Sequence, residues 1–207
     1  MSFLAPQISS RLANPGLFEQ QIKNYFRASN NIVQQDKTIA DRVIYDAKNV
    51  DALDSVQFFT GTYNQNLTNL EGSYVRPASE HVIIYGIAFY TDNGTSKANV
   101  EAGSAVWQEG FTTGNNPIAT GDVNSEIPAP HLDVSLTCNG VVYLNDVWGM
   151  DWDSDLATYS RGKLLLNNPI VWPGQTQLTV EVVLGEDGTK FPNNYSIKCE
   201  LISVGLI

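Results

Sequence analysis

Residues 168–184 read NPIVWPGQTQLTVEVVL. The second half of this stretch decides the fold. Leu178, Val180, Val182 and Leu184 alternate with Gln177, Thr179 and Glu181 until Val183 breaks the pattern. A period of two in β-branched residues defines a strand with one face in a core. Pro173-Gly174, just ahead of it, is a breaker pair that predicts a turn.

Outward from this strand the chain repeats the same grammar. Residues 195–207 form a second apolar strand. Leu132, Val134, Leu136 and Cys138 alternate with Asp133, Ser135 and Thr137, and Val141-Val142-Tyr143-Leu144 returns. Asn139-Gly140 between them predicts a two-residue type I′ hairpin, because both residues tolerate positive φ. Residues 81–90 (HVIIYGIAFY) are apolar on both faces, as a central strand covered on both sides requires. Gly86 in the middle marks a bulge or a close backbone approach. Val43-Ile44-Tyr45, Val56-Gln57-Phe58-Phe59, Ala105-Val106-Trp107 and residues 163–166 supply shorter strands. Asp46, Asn49, Asp51 and Asp54 read as a polar loop, and Asn167-Asn168-Pro169 as a break. The long irregular stretch 91–130 is of the kind that carries contacts in a compact domain.

The front of the chain differs. Asn14-Pro15 suits a helix start. Phe18, Ile22, Tyr25 and Phe26 then recur at spacings of three and four, which predicts a short helix with one apolar stripe. A helix this short is marginal alone and must pack on something, so these four residues are candidate subunit contacts. Residues 1–37 carry Arg11, Lys23, Arg27 and Lys37 against Glu19 and Asp36, a small positive excess on a chain whose net charge is -10. The acidic total argues against direct binding of nucleic acid phosphate. No apolar run reaches the length of a membrane-spanning helix, and the first residues do not read as a signal peptide. Cys138 and Cys199 sit in strand patterns and read as buried thiols, with a bridge open only if their strands adjoin.

Catalytic patterns are missing. His81 and His131 are the two histidines, and neither sits in a zinc or triad motif. Asp151, Trp152, Asp153 and Asp155 form an acidic loop that suits a calcium ion or a ligand, although the EF-hand pattern fails at Leu156 and Gly162. A solvated acidic loop is the plainer reading. Trp148 and Trp152 beside these carboxylates suit a saccharide, while tryptophans in a sandwich more often anchor a core or an interface. A two-carboxylate glycosidase stays open, since such residues pair in space rather than in sequence. No cofactor and no enzymatic activity are expected.

The polar arm with its short helix, the sandwich with long loops and the Pro-Gly turn into a final strand pair together resemble the jelly-roll structural proteins of icosahedral viruses, tailless bacteriophages in particular. The likeness spans residues 38–207. It is carried by Val43-Ile44-Tyr45-Asp46, Thr68-Asn69-Leu70 with Gly72, residues 81–89, and Trp172-Pro173-Gly174-Gln175-Thr176 before LTVEVVL. The dense basic cluster that some capsid arms use to hold genome is not present here. The expectation is an all-β chain with an arm at residues 1–37 and one jelly-roll β-sandwich of eight to nine strands at residues 38–207. The resemblance implies a self-assembling virion protein whose partners are other copies and other capsid proteins. The arm's contact, lipid layer or protein, stays open. The alternative is a carbohydrate-binding or host-attachment β-sandwich module.

Overall fold

The computed structural model describes residues 24, 39–70, 74–78, 80–109, 132–148, 163–184, 191 and 193–206. They form a β-sandwich of two antiparallel sheets. The elements in order are β1 (Ile39–Asn49), β2 (Ser55–Phe58), β3 (His81–Asn93), α1 (Lys97–Glu101), β4 (Gln108–Glu109), β5 (Leu132–Cys138), β6 (Val141–Trp148), β7 (Lys163–Trp172), β8 (Leu178–Leu184) and β9 (Tyr195–Leu206). One sheet runs β1-β9-β3, with β7 and β4 both on the far side of β3; the other runs β2-β8-β5-β6. Of the arm, only Asn24 is described, helical and exposed.

The alternation in residues 178–184 does what its period requires. Leu178, Val180 and Val182 are fully buried. They meet Val82, Ile84, Ile87 and Phe89 of β3 and Ile197, Cys199 and Leu201 of β9 in one interior cluster between the sheets. Phe58 and Phe89 cross the gap at 6.2 Å between ring centroids. Cys138 and Cys199 are both buried and free, in opposite sheets. Burial pushes the Cys138 thiol up to about 11 and the Cys199 thiol well above the ordinary range, so neither is a thiolate at neutral pH.

Several strands are longer than their apolar runs. β1 continues through Asp46 and Asn49, which read as loop residues in the sequence. It can do so because the Asp46 carboxylate finds partners inside the sandwich, described below. β7 runs through Asn167-Asn168-Pro169, but its pairing with β3 skips there: Leu165 faces Gly86 and Ile170 faces Ile84. The local break signal was sound, and the tertiary pairing on either side bridges it. The bulge expected at Gly86 lies between Ile84 and Gly86 in the pairings of β3 with β7 and with β9. Ala105-Val106-Trp107 is not a strand; β4 follows it at Gln108. Trp107 instead packs beside Ala47, Leu67 and Val100 on the outer side of the β1 sheet. Val100 belongs to α1, which had no sequence signal strong enough to mark it.

The register sorts the connections between the two ends of the sandwich. Asn49 and Asn93 face the start of β9, at Ser196 and Tyr195. Leu132 faces Leu184, and Asp133 faces Trp148. The chain therefore leaves β1, β3, β6 and β8 and enters β2, β5, β7 and β9 at one end. The opposite end holds the hairpin at Asn139 and Gly140, with φ 51° and 75° as a type I′ turn needs, and the turn at residues 173–177.

Candidate functional site

β1 is the outer strand of its sheet, and residues 64–70 cover its free edge. Asn69 is the clip. Its Nδ2 donates to the Val43 carbonyl at 2.6 Å, and its Oδ1 accepts from the Tyr45 N–H at 2.9 Å. Thr68 Oγ1 donates to the Tyr45 carbonyl at 2.8 Å, and the Ala47 N–H donates to Leu67 at 2.8 Å. A side-chain amide thus stands where the peptide of a neighbouring strand would. This satisfies an edge that otherwise templates aggregation.

Strand alternation turns Ile44, Asp46 and Lys48 toward the interior. Asp46 is fully buried. Its Oδ2 accepts from the Phe59 N–H at 2.7 Å and lies 3.3 Å from Lys48 Nζ, while its Oδ1 accepts from the Tyr74 hydroxyl at 3.3 Å. Lys48 Nζ also donates to the Thr60 carbonyl at 2.7 Å and to the Tyr74 hydroxyl at 3.2 Å. Both carboxylate oxygens are engaged, which is what makes a charge tolerable here. The centre ties β1 to the chain leaving β2, where Phe59 holds a φ of 62°.

Burial raises the Asp46 carboxyl above its ordinary 3.8, against the pull of Lys48, the Phe59 N–H and the Tyr74 hydroxyl. Burial and then the Asp46 charge push the Tyr74 hydroxyl up as well. The linkage has a definite sign. Between 3.8 and its raised folded value, Asp46 holds a proton in the folded chain that the unfolded chain has released. Its contribution to stability is therefore full below 3.8 and declines as pH rises through that window. Relative to Asp46→Asn, which cannot titrate, the unsubstituted chain should gain melting temperature as pH is lowered from neutral. Parallel pH profiles for the two proteins would contradict this.

Beside this centre a cleft of about 690 Å³ opens between β1, residues 62–67 and α1. Lys48 and Tyr74 reach its lining. Tyr63, 40% exposed, packs edge-to-face on Tyr74 at 6.5 Å. Asn64 and Asn66 fasten their loop to the helix, each donating Nδ2 to the Glu101 carbonyl, at 3.2 and 3.0 Å. Lys97 and Glu101 lie 3.9 Å apart across one turn of α1.

A second polar centre sits where the chain turns into β8. Arg76 is buried, with its guanidinium 4.1 Å from the centroid of the Trp172 ring. It donates to the carbonyls of Trp172, of Pro173 at 3.3 Å and of Glu80 at 3.2 Å. Burial pulls its pKa down to about 10, which leaves it charged at neutral pH. The Gln175 N–H returns to the Arg76 carbonyl at 2.9 Å, and Trp172 Nε1 donates to Thr176 at 2.9 Å. The Gly174 N–H donates to His81 Nδ1 at 3.4 Å, so this histidine belongs to the corner.

Both centres use residues that the sequence did not single out as a site. Asp46 and Tyr74 lie far apart along the chain, and a single charged residue inside an apolar run gives no sign of which way it faces. Of the four tryptophans, Trp172 is core and Trp107 packs on the outer cluster. Asp151, Trp152, Asp153 and Asp155 lie outside the described residues, as do Phe18, Ile22, Tyr25, Phe26 and His131. Among the described residues, no group of three His, Cys, Asp or Glu is placed to hold a metal ion. Compared with protein-family models and with curated proteins, the chain matches none.

Proposed function

We propose that this chain is a virion structural protein: a single jelly-roll capsid subunit that self-assembles into an icosahedral shell of the bacteriophage type. The observation that carries the reading is the nesting of the strand pairs. β1 pairs with β9, β2 with β8, β3 with β7, and β5 with β6, all antiparallel. Such nesting, like that of one long double ribbon closed at the Asn139-Gly140 hairpin and wound into two sheets, supports the jelly-roll reading. β4, only two residues long, is an addition at the sheet edge.

The fold alone also serves lectins and cupins, so the shell reading draws on a further feature. Val141, Val142 and Tyr143 follow one another along β6 at 53%, 57% and 46% exposure. β6 is the outer strand of its sheet. Consecutive apolar side chains exposed on an edge favour a covering partner. For a shell protein that partner is a neighbouring copy or another capsid protein. The arm, residues 1–37, is assigned to contacts with such copies or with a lipid layer inside the shell. No reaction and no cofactor form part of this reading, and its location is the virion.

Purified full-length chain examined by light scattering and negative-stain microscopy should form large multimers or closed particles. A chain that stays monomeric at high concentration with residues 1–37 intact would overturn the proposal.

A further inference from the structure

We propose that the cleft between β1, residues 62–67 and α1 is a binding site for a short stretch of neutral glycan. This does not depend on the chain forming a shell. The volume of about 690 Å³ falls within the roughly 300–1,000 Å³ of small-molecule sites, and its chemistry narrows the ligand.

The charges in the cleft cancel in pairs. Lys48 is matched by Asp46, and Lys97 by Glu101. An anionic or cationic ligand therefore finds no unbalanced partner. A purely apolar ligand would leave the amides, hydroxyls and charged groups of Asn49, Thr62, Asn64, Gln65, Lys97 and Glu101 without partners, so the lining suits a ligand with both an apolar face and hydroxyls. A peptide strand finds no edge to extend, because residues 67–69 already occupy the backbone of Tyr45 and Ala47.

What the cleft offers is an aromatic face with hydrogen-bonding groups around it. Tyr63 is the exposed ring, and its edge-to-face contact with the buried Tyr74 fixes its plane. No hydrogen bond among the described residues occupies the Tyr63 hydroxyl or the Gln65 amide. The walls are held in advance of binding: Asn64 and Asn66 are tied to α1, and Lys48 is tied by Thr60, Tyr74 and Asp46. A pyranose has one apolar C–H face and a rim of hydroxyls. It can lay that face on Tyr63 and direct its hydroxyls to Gln65 and the neighbouring polar groups. Such a prepared site loses little on ordering.

The test is saturation-transfer NMR on the full chain with cellobiose, maltose, lactose and N,N′-diacetylchitobiose, each at millimolar concentration. At least one should receive saturation at its ring protons. Tyr63→Ala should weaken that binding by about tenfold or abolish it, Tyr63→Phe should retain most of it, and Gln65→Ala should weaken it less. Gln65 is exposed and its variant should melt like the parent chain, while Tyr63→Ala, which gives up the ring contact with Tyr74, should melt slightly lower but still fold, as a cooperative melt checks. Absence of transfer to all four probes, or equal binding by Tyr63→Ala, would overturn the proposal. Light scattering on the same samples separates the two readings: glycan binding by a chain that stays monomeric upholds the site and counts against the shell.

Discussion

Gly174→Ala should destabilise the chain by at least about 3 kcal/mol or prevent it from folding. Conformational freedom is not the reason, since Gly174 is not among the glycines with positive φ. The reason is proximity. A Cβ at this position would lie 2.9 Å from both the Cα and the carbonyl carbon of Ala78, and closer still to the Pro77 carbonyl oxygen. All three are backbone atoms and cannot rotate away. Relief would require residues 76–78 to part from residues 173–175. That would break the Gln175–Arg76 backbone bond and the bonds from Arg76 to the Trp172 and Pro173 carbonyls. It would also loosen the cover on Trp172, which is fully buried. Gly140→Ala is the comparison. Nothing lies within 4 Å of a Cβ there, and only the φ of 75° resists, a strain of about 1–2 kcal/mol. Urea denaturation of both variants decides the matter. A Gly174→Ala variant no less stable than Gly140→Ala would show that the corner can yield.

Asp46→Ala should cost about 3–5 kcal/mol, the range for removing one partner of a buried ion pair. The substitution leaves Lys48 with the Thr60 carbonyl and the Tyr74 hydroxyl, but with no counter-charge among the bonds it makes here. It also leaves the Phe59 N–H without its acceptor, at a residue already held at positive φ. The charge account has its own test. Adding Lys48→Met to Asp46→Ala removes the stranded ammonium and should recover part of the loss, whereas independent sites would simply add. A double variant no better than the single one would mean that the Phe59 and Tyr74 hydrogen bonds, and not the charge, hold this corner.

The strands that face the core were legible because burial on one or both faces writes itself into the period. The alternation in β5 and β8 and the doubly apolar run in β3 are direct records of their surroundings. The Asn139-Gly140 turn was legible because its backbone tolerates few residues. β1 was read short, since a strand holding Asp46, Lys48 and Asn49 looks like a loop until the partners of those side chains are known. Those partners, Phe59 and Tyr74 for Asp46 and Tyr195 and Ser196 for Asn49, come from distant parts of the chain. The same distance hid the cleft. Tyr63, Gln65 and Glu101 have no common pattern in sequence and meet only because α1 folds back over the outer face of β1.

The position of β9 bears on how the protein is made. It lies between β1 and β3, so the middle of one sheet is the strand synthesised last among the described strands. β1 leaves the ribosome more than a hundred residues before the strand it pairs with, from Ile39–Leu206 to Asn49–Ser196. β1 therefore cannot settle by pairing locally with another strand, and a pairing this distant is slow to close. During that interval the clip made by Asn69, which is near in sequence to β1, can already shield its edge. The nascent chain thus carries its own guard on the outer edge of β1, and only the inner edge waits for β9.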